Sequence, residues 1–535
     1  MKKLLTLVLA LYFFGTAKID TYAQETAAFV SDYNINITVD NKGQAHYQQV
    51  ITVTNQTVDY YLKNYSVSLG LDEVENIKVL DGLGKAIPYE LVNEEETTTL
   101  TLSPQGVVGV GNKNVFDISF ETGELAKKRG LMWEIIIPGI KASPNLGQYN
   151  LVLNIPQDFG PPTTTPAKTA GGFYSFSYQK NDLLEKGQII NLGLYQLYDF
   201  TITYALRNPN MLSTVLPVTL PPAIPNVQKV FFSKIDPAPE KYEQDPDGNQ
   251  IAHFLVSGGK TITPVISGQI MVFSNINTPA EKESNPNLPY TNEDEFWQVQ
   301  NPEILKIAAG LDTPKSAYQY TVNHISYKQV FPKDEIVRQG ALYALENGEG
   351  VCTEFSDLLV TLLRAKGIAA QSLAGFAYSE ESSYIPKEED DRVVLHSWVR
   401  WFDKHLGWQY TDPTWGATTG LDYFEKLDTN HVVFAIHGQS SVTPYSAGAY
   451  VEGSATLKDK VAVTFATKES NHENLTTFET LKADWSAKEA SKTAIWKRVF
   501  AVLALLASVG FFVIFLGYLR RLTPHHHLPP RGQAQ

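Results

Sequence analysis

The chain has 535 residues, of which 57 are acidic and 44 basic, giving a formal net charge of −13 at pH 7. This acidic balance argues against a nucleic-acid partner. A chain of this length has ample apolar surface to bury in several domains, and its single cysteine excludes an internal disulfide.

The first residues have the pattern of a secretory signal peptide. Two lysines precede the apolar run Leu4–Phe14, and the small residue Ala23 stands just before Gln24. We therefore predict a signal peptide over residues 1–23. Cleavage after Ala17 fits the same pattern, and a run that stays uncleaved would serve as a membrane anchor. The body of the chain is exported in each case.

From Gln24 to about Asn287 the pattern is mostly that of short strands. Apolar and polar residues alternate with period two, and turns rich in Gly, Pro and Asn separate the segments, which is typical of antiparallel β-sandwiches. The predicted strands include Tyr33–Val39, Gln49–Thr54, Tyr65–Leu69, Thr98–Leu102, Val115–Phe120, Met132–Ile137, Tyr149–Ile155, Phe173–Tyr178, Phe200–Tyr204 and Ile270–Phe273.

The number and length of these strands favour two all-β domains, residues 24–143 and 144–285. The boundary is placed where the prolines at 138 and 144 interrupt the strand pattern, and residues 275–287, rich in Asn, Pro and Glu, are predicted to be the linker to the next domain. We interpret both β-domains as spacers, with substrate-recruiting modules as the alternative.

The single cysteine, Cys352, lies where a glycine-rich turn gives way to an amphipathic helix. Gly348 and Gly350 allow the backbone to turn sharply, and Gly367 ends the helix before a buried strand over residues 368–378. A helix N terminus stabilises a thiolate, which is the reactive form of cysteine, so this position is typical of a nucleophile. The helix is predicted from apolar residues at helical spacing, namely Phe355, Leu358, Leu359, Leu362 and Leu363.

A cysteine nucleophile needs a base and a group that orients the base. Residues 395–402 and 407–412 are predicted to form a hairpin. His396 lies near the start of the first strand, and Asp412 ends the second, because Pro413 cannot continue the ladder. Antiparallel pairing brings both positions to the same end of the hairpin, where a histidine–carboxylate hydrogen bond can form.

These three motifs, in this order, resemble the transglutaminase-like superfamily of papain-like cysteine enzymes. The resemblance extends from about residue 302 to residue 437 and implies an α+β catalytic domain over residues 290–440. It further implies that Cys352 is the nucleophile, His396 the general base and then acid, and Asp412 the orienting group. Arg400 departs from the family pattern, which often has an acidic residue there, and this concerns substrate preference more than the triad.

Each of these residues also has a structural interpretation, because a lone cysteine or histidine is often a core residue. The three motifs together favour catalysis. His405 is predicted to lie in the hairpin turn, and His324, His431 and His437 default to structural roles. The histidines at 525–527 lack the spacing of a folded metal site, so we predict no metal and no cofactor.

An acidic segment, Ser379–Asp391, lies between the strand after the nucleophile helix and the strand that carries His396. If it overhangs the cleft, it would favour a cationic group on the substrate. A solvated acidic loop is the alternative, and the composition favours it.

The C-terminal part is predicted to comprise a stalk over residues 441–494, a transmembrane helix over 495–519 and a cytoplasmic tail over 520–535. The helix is predicted because Val499–Leu519 has no charged residue and is long enough to cross a bilayer. Basic residues flank the run on both sides, so the signal peptide, rather than the distribution of charge, sets the predicted orientation.

The sequence thus predicts a multidomain chain with N-terminal all-β sandwich domains, a papain-like, transglutaminase-like α+β catalytic domain and one C-terminal transmembrane helix. The predicted chemistry is acyl transfer through a thioester on Cys352, most simply by a peptidase or amidase that acts on a protein or peptide substrate at the cell envelope. A protein cross-linking transglutaminase and an inactive surface binding or scaffold protein are the alternatives.

Overall fold

The structure is a computed structural model that describes residues 27–94, 97–163, 167–274, 289–328, 338–378, 393–424, 427–448, 460–468 and 475–522. The predicted signal peptide, the 275–287 linker, the acidic segment 379–391 and the histidines at 525–527 lie outside these residues. The chain divides into two compact units. Unit 1 is Met1–Leu125, Ile140–Pro156 and Lys168–Glu185, and unit 2 is Ala126–Gly139, Gln157–Ala167 and Lys186–Gln535.

Unit 1 is a β-sandwich. A seven-stranded sheet has the order β11-β12-β10-β1-β2-β7-β4, in which only the β1–β10 pair is parallel, and a three-stranded sheet has the order β3-β6-β5. The strands are β1 Phe29–Val39, β2 Ala45–Asn55, β3 Tyr65–Ser68, β4 Glu75–Asp81, β5 Tyr89–Glu94, β6 Thr97–Leu102, β7 Lys113–Thr122, β10 Leu146–Pro156, β11 Lys168–Ala170 and β12 Phe173–Gln179, followed by the short helix α1 Lys180–Leu183.

The core of unit 1 follows from the alternation that the sequence shows. Ile51 and Val53 of β2, like Phe116 and Ile118 of β7, point to one face and pack with Leu100 of the smaller sheet. Because successive strand residues point to opposite faces, the residues between them are more exposed.

Unit 2 contains a second β-rich region. Its sheets have the orders β13-β9-β8, β17-β21-β14-β28, β16-β19-β18 and β15-β20. The strands are β8 Ala126–Arg129, β9 Met132–Ile137, β13 Gln188–Leu192, β14 Tyr195–Thr203, β15 Leu206–Arg207, β16 Thr214–Leu220, β17 Gln228–Asp236, β18 Lys241–Gln244, β19 Gln250–Val256, β20 Thr261–Ile262, β21 Val265–Phe273 and β28 Lys460–Phe465.

The remainder of unit 2 is α+β. A four-stranded antiparallel sheet with the order β26-β25-β24-β27 packs against a group of helices, and a two-stranded parallel pair, β22-β23, lies beside it. The elements are α2 Pro302–Ala309, α3 Pro314–His324, β22 Ser326–Tyr327, α4 Gly340–Asn347, β23 Glu349–Gly350, α5 Cys352–Ala365, β24 Ala370–Tyr378, β25 Val393–Asp403, β26 Gly407–Thr411, α6 Pro413–Thr418 and β27 His431–His437.

The edge strand β27 is held in place by two buried side-chain amides. Gln228 accepts from the backbone N–H of Val433 (2.9 Å) and donates to its carbonyl (2.8 Å). Asn249 makes the same pair of bonds to Ile436, each of 2.7 Å. The amides therefore satisfy backbone groups that a buried sheet edge would otherwise leave unpaired.

Two predicted boundaries differ from the structure. The seven-stranded sheet runs across residue 143, because β1 near the start of the chain pairs with β10, so the strands do not divide at that point. The predicted stalk, residues 441–494, supplies β28, which pairs with β14, and Phe478, which is buried in the adjoining core. Both pairings join residues that are distant in sequence, and a local strand pattern does not encode them.

The last element is α7, Phe478–Leu522. Within the described residues, it is the one helix long and apolar enough to cross a membrane. Its N-terminal end is anchored, since Phe478 packs on Tyr242 of β18 and Trp485 donates through its indole N–H to the carbonyl of Glu240 (2.6 Å).

Candidate active site

Cys352 is the first residue of α5, as the sequence predicts. Glu354 closes the first turn, because its Oε2 accepts from the backbone N–H of Val351 at 3.1 Å. Gly350 allows this close approach, since a Cβ at that position would lie 2.4 Å from the Cβ of Glu354. The thiol is half-buried, and the N–H groups of the first turn have no intrahelical acceptor, so they are available to a bound group.

The predicted hairpin is present, and it carries the other two residues. Strands β25 and β26 pair in antiparallel register, with Val399 opposite Thr411. This register places His396 and Asp412 at the same end, where His396 Nε2 donates to Asp412 Oδ2 at 2.7 Å. Both side chains are buried, so the hydrogen bond is shielded from water.

Asp412 is also the N-cap of α6. Its Oδ1 accepts from the backbone N–H groups of Thr414 (2.9 Å) and Trp415 (3.0 Å), and Pro413 is the first residue of the helix. An aspartate N-cap followed by proline is a favoured helix start. The same local sequence that ends β26 therefore fixes the carboxylate, and it leaves Oδ2 directed at the histidine.

The thiol of Cys352 lies close enough to the imidazole of His396 to raise its pKa. Because Nε2 of His396 faces Asp412, Nδ1 is the ring nitrogen that faces the sulfur. Burial disfavours the imidazolium, but the charge and hydrogen bond of Asp412, with the hydrogen bond to Cys352, raise the pKa of His396 to about 10. The structure thus brings together all three residues that the sequence singles out.

A fourth side chain, His431, also reaches Asp412. Its Nε2 lies 3.2 Å from Asp412 Oδ2, and its Nδ1 lies 2.7 Å from Oδ1 of Asp428. We predicted a structural role for His431 because it has no partner motif. The spacing of Asp428 and His431, three residues apart and directly before the apolar run Val432–Ile436, is the available local signal.

The comparison with known families follows from this geometry. Residues 303–413 match the sequence model of the transglutaminase-like superfamily, and the matched segment contains Cys352, His396 and Asp412. The chain contains a transglutaminase-like domain. No curated protein sequence matches the chain.

Solved structures with similarity to this chain include three bacterial proteins. A candidate cysteine protease from Cytophaga hutchinsonii is 12% identical, with a TM-score of 0.35, over 52% of this chain and 93% of that chain. A candidate protease from Parabacteroides distasonis is 12% identical, with a TM-score of 0.19, over 71% and 66%. The periplasmic domain of TgpA from Pseudomonas aeruginosa is 14% identical, with a TM-score of 0.24, over 42% and 92%.

Aromatic rings pack against His396 and His431 in the transglutaminase-like domain. The ring of Trp415 stacks on His396 with a centroid distance of 5.1 Å and contacts His431 at 4.5 Å. Trp398, which is on β25, packs against both imidazole rings. These rings exclude water from the hydrogen bonds between the histidines and the carboxylate. The lower local dielectric constant strengthens those hydrogen bonds.

The other histidines of the domain do not contact Asp412. His405 lies in the exposed hairpin turn, His324 Nε2 contacts the carbonyl of Leu345 at 2.7 Å, and His437 Nε2 contacts that of Pro444 at 2.8 Å. Arg400 is buried, with its Nε donating to Gln371 Oε1 at 2.7 Å. It is thus occupied by contacts within the sheet.

Histidine and carboxylate side chains at this site are potential ligands of a metal ion. In the part of the chain that the structure describes, His396, Asp412 and His431 form the group with suitable spacing, with ligand atoms within 4.8 Å of one another. His396 Nε2 and His431 Nε2 lie 2.7 Å and 3.2 Å from Asp412 Oδ2, distances that suit N–H groups hydrogen-bonded to a carboxylate. We assign none of the three as a metal ligand.

Proposed function

We propose that the transglutaminase-like domain is a cysteine-dependent amide hydrolase, a peptidase or amidase, with Cys352, His396 and Asp412 as its catalytic residues. One observation carries this proposal: His396 is held through Nε2 by Asp412 at 2.7 Å, and its other nitrogen faces the thiol of Cys352 at the start of a helix. This arrangement has the nucleophile, base and orienting group that acyl transfer requires.

In the first half-reaction, His396 holds the thiol proton on Nδ1, in line with its raised pKa, and the sulfur attacks the substrate carbonyl carbon. The backbone N–H of Cys352 stabilises the oxyanion. The C–N bond then breaks, the leaving amine takes the proton from Nδ1, and a thioester remains on Cys352. Asp412 holds the imidazole in the tautomer that serves both transfers.

In the second half-reaction, His396 Nδ1 takes a proton from the attacking water, the C–S bond breaks to release a carboxylic acid, and Nδ1 returns its proton to the departing sulfur. An amine in place of water would give a new amide, which is the cross-linking alternative. Incubating the full chain with peptides in the presence of a primary amine distinguishes the two: hydrolysis yields free acids, whereas cross-linking yields peptides carrying the amine.

The proposed thiol–imidazole pair predicts a fast reaction with iodoacetamide. Because the chain has one cysteine, any added mass in intact-mass analysis reports Cys352 alone. At about pH 6, where free thiols react slowly, we expect the full chain in detergent to be labelled at least roughly 10-fold faster than its His396→Ala variant. The cause is the loss of the base that faces the sulfur.

His437→Ala is the matched control, since it removes another buried histidine that does not contact Asp412. It should label like the wild type. Labelling of the wild type only after denaturation would show a structural thiol and favour the surface binding protein instead.

We further propose that the transglutaminase-like domain lies outside the cytoplasm, held by α7 in a single pass. The support is the signal-like pattern at residues 1–23 together with the apolar helix. A membrane-impermeant thiol reagent is expected to label Cys352 in intact spheroplasts. Gln533→Cys in a Cys352→Ala background should be labelled only after permeabilisation, and the reverse pattern would overturn this orientation.

A further inference from the structure

His431 makes two contacts that define its charge. One ring nitrogen faces Asp428 Oδ1 at 2.7 Å, and the other faces Asp412 Oδ2 at 3.2 Å. Carboxylate oxygens accept hydrogen bonds, so both nitrogens must carry protons. The buried His431 is therefore an imidazolium between two carboxylates, which is the arrangement that makes a buried charge tolerable.

Asp428 is itself held in place. Its Oδ1 accepts from the backbone N–H of Asn430 at 2.8 Å, and its Oδ2 accepts from the hydroxyl of Tyr423 at 3.3 Å. Asn430 continues the network, because its side-chain amide donates to Glu134 Oε2 at 2.9 Å. Asp428 and its hydrogen-bond partners thus fix the position of His431, and these groups do not contact His396.

With His431 in place, Asp412 has a hydrogen-bond donor at each of its acceptor positions. Two backbone N–H groups fill Oδ1, and the imidazoles of His396 and His431 share Oδ2. A carboxylate has about four such positions, so rotation of the Asp412 carboxylate would break hydrogen bonds that are already formed. Removing His431 would leave one position unfilled on the oxygen that orients His396.

We propose that Asp428 and His431 form a positioning pair that fixes the Asp412 carboxylate with Oδ2 directed at His396. This inference rests on the proposed function, since it assigns a role to residues behind the same triad. Neither residue contacts the thiol, so they act through Asp412 and not on the substrate.

The directions of the pKa shifts of Asp412 and His431 agree with this arrangement. Burial alone would raise the pKa of Asp412, but His396 and then His431 outweigh it and hold the pKa below its ordinary value. Burial likewise disfavours the charged form of His431, and Asp428 and Asp412 outweigh it to raise the pKa of His431. The titratable and charged groups that face His431 or its partners include Asp412 at the start of α6, Asp428 before β27, His396 on β25, Tyr423, Glu134, Tyr318, Tyr198 and Arg129.

The test is the pH profile of Cys352 alkylation by iodoacetamide, measured on the full chain in detergent from about pH 3 to 8. For His431→Gln we expect a rate roughly 10- to 100-fold lower, because the orienting carboxylate is no longer fixed. We also expect the acid limb of the profile to move to higher pH, because Asp412 takes up a proton more readily without the neighbouring imidazolium. A residue with a merely structural role would not move this limb.

His437→Gln is the matched control, since it removes a buried histidine at the other end of β27. It should leave the profile unchanged. Asp428→Asn keeps both histidines and the shape of the site but removes the charge that holds His431 protonated, so it should shift the limb in the same direction. If His431→Gln fails to fold, the pH profile of Asp428→Asn tests the positioning pair in its place.

The double variant of His431→Gln and Asp428→Asn should have no larger effect than the greater of the two single changes, because the residues act as one unit. Unshifted profiles in folded His431→Gln and Asp428→Asn proteins would overturn the positioning pair while leaving the triad intact. Slow labelling of the wild type, unchanged in His396→Ala, would instead overturn the proposed function and this inference with it.

Discussion

Replacing Cys352 by alanine is expected to abolish turnover without unfolding the protein. If the thioester mechanism holds, removal of the nucleophile lowers kcat by roughly 10⁴-fold or more. Folding should survive, because Cys352 is half-buried in the first turn of α5 and alanine favours helix. The measurement is the release of products from a mixed library of short peptide amides, followed by mass spectrometry, with the melting temperature as the folding control.

The neighbouring position provides a matched control for this change. Thr353→Ala shortens the next side chain of the same helical turn, whose hydroxyl contacts Glu354 Oε2 at 3.0 Å. It should retain turnover with at most a modest change in stability. Products released at the wild-type rate by Cys352→Ala would exclude the thioester mechanism, and loss in both variants would indicate damage to the turn rather than removal of a nucleophile.

The parts of this site that the sequence predicts are local in the chain. A glycine turn followed by a helical apolar stripe places Cys352, and two strands around a short turn place His396 beside Asp412. Each depends on periodicity or on pairing between neighbouring strands, which sequence patterns encode directly. The transglutaminase-like motif then relates the helix to the hairpin.

His431 illustrates what local patterns leave out. It reaches Asp412 because β27 pairs with β24, where His431 lies opposite Ala377, and β24 in turn pairs with β25. The position of β27 depends on Gln228 and Asn249, which lie far upstream in the β-rich region. The parallel β1–β10 pair and the use of β28 depend in the same way on contacts between distant segments, so the predicted boundaries missed them.

The second large effect is expected at Asp412. Asp412→Ala removes the acceptor of both buried imidazoles and of two backbone N–H groups. Breaking a buried charge pair on one side costs about 3–5 kcal/mol, because the partner charge is left uncompensated. Asp403→Ala is the matched control, since Asp403 accepts from the backbone N–H groups of His405 and Leu406 at the other end of the hairpin but from no imidazole. It should cost only about 1 kcal/mol.

Asp412→Asn separates charge from shape. The pKa of Asp412 is lowered from 3.8, so its stabilising contribution is present above about pH 3.8 and lost as the pH falls further. The pKa of His396 is raised from 6.5 to about 10, so its contribution is present below pH 6.5 and lost as the pH rises through about 10. The stability difference between wild type and Asp412→Asn should therefore be greatest between about pH 3.8 and 6.5. Thermal unfolding of both proteins across this range measures it, and a difference independent of pH would show that the aspartate acts through packing and not through its charge.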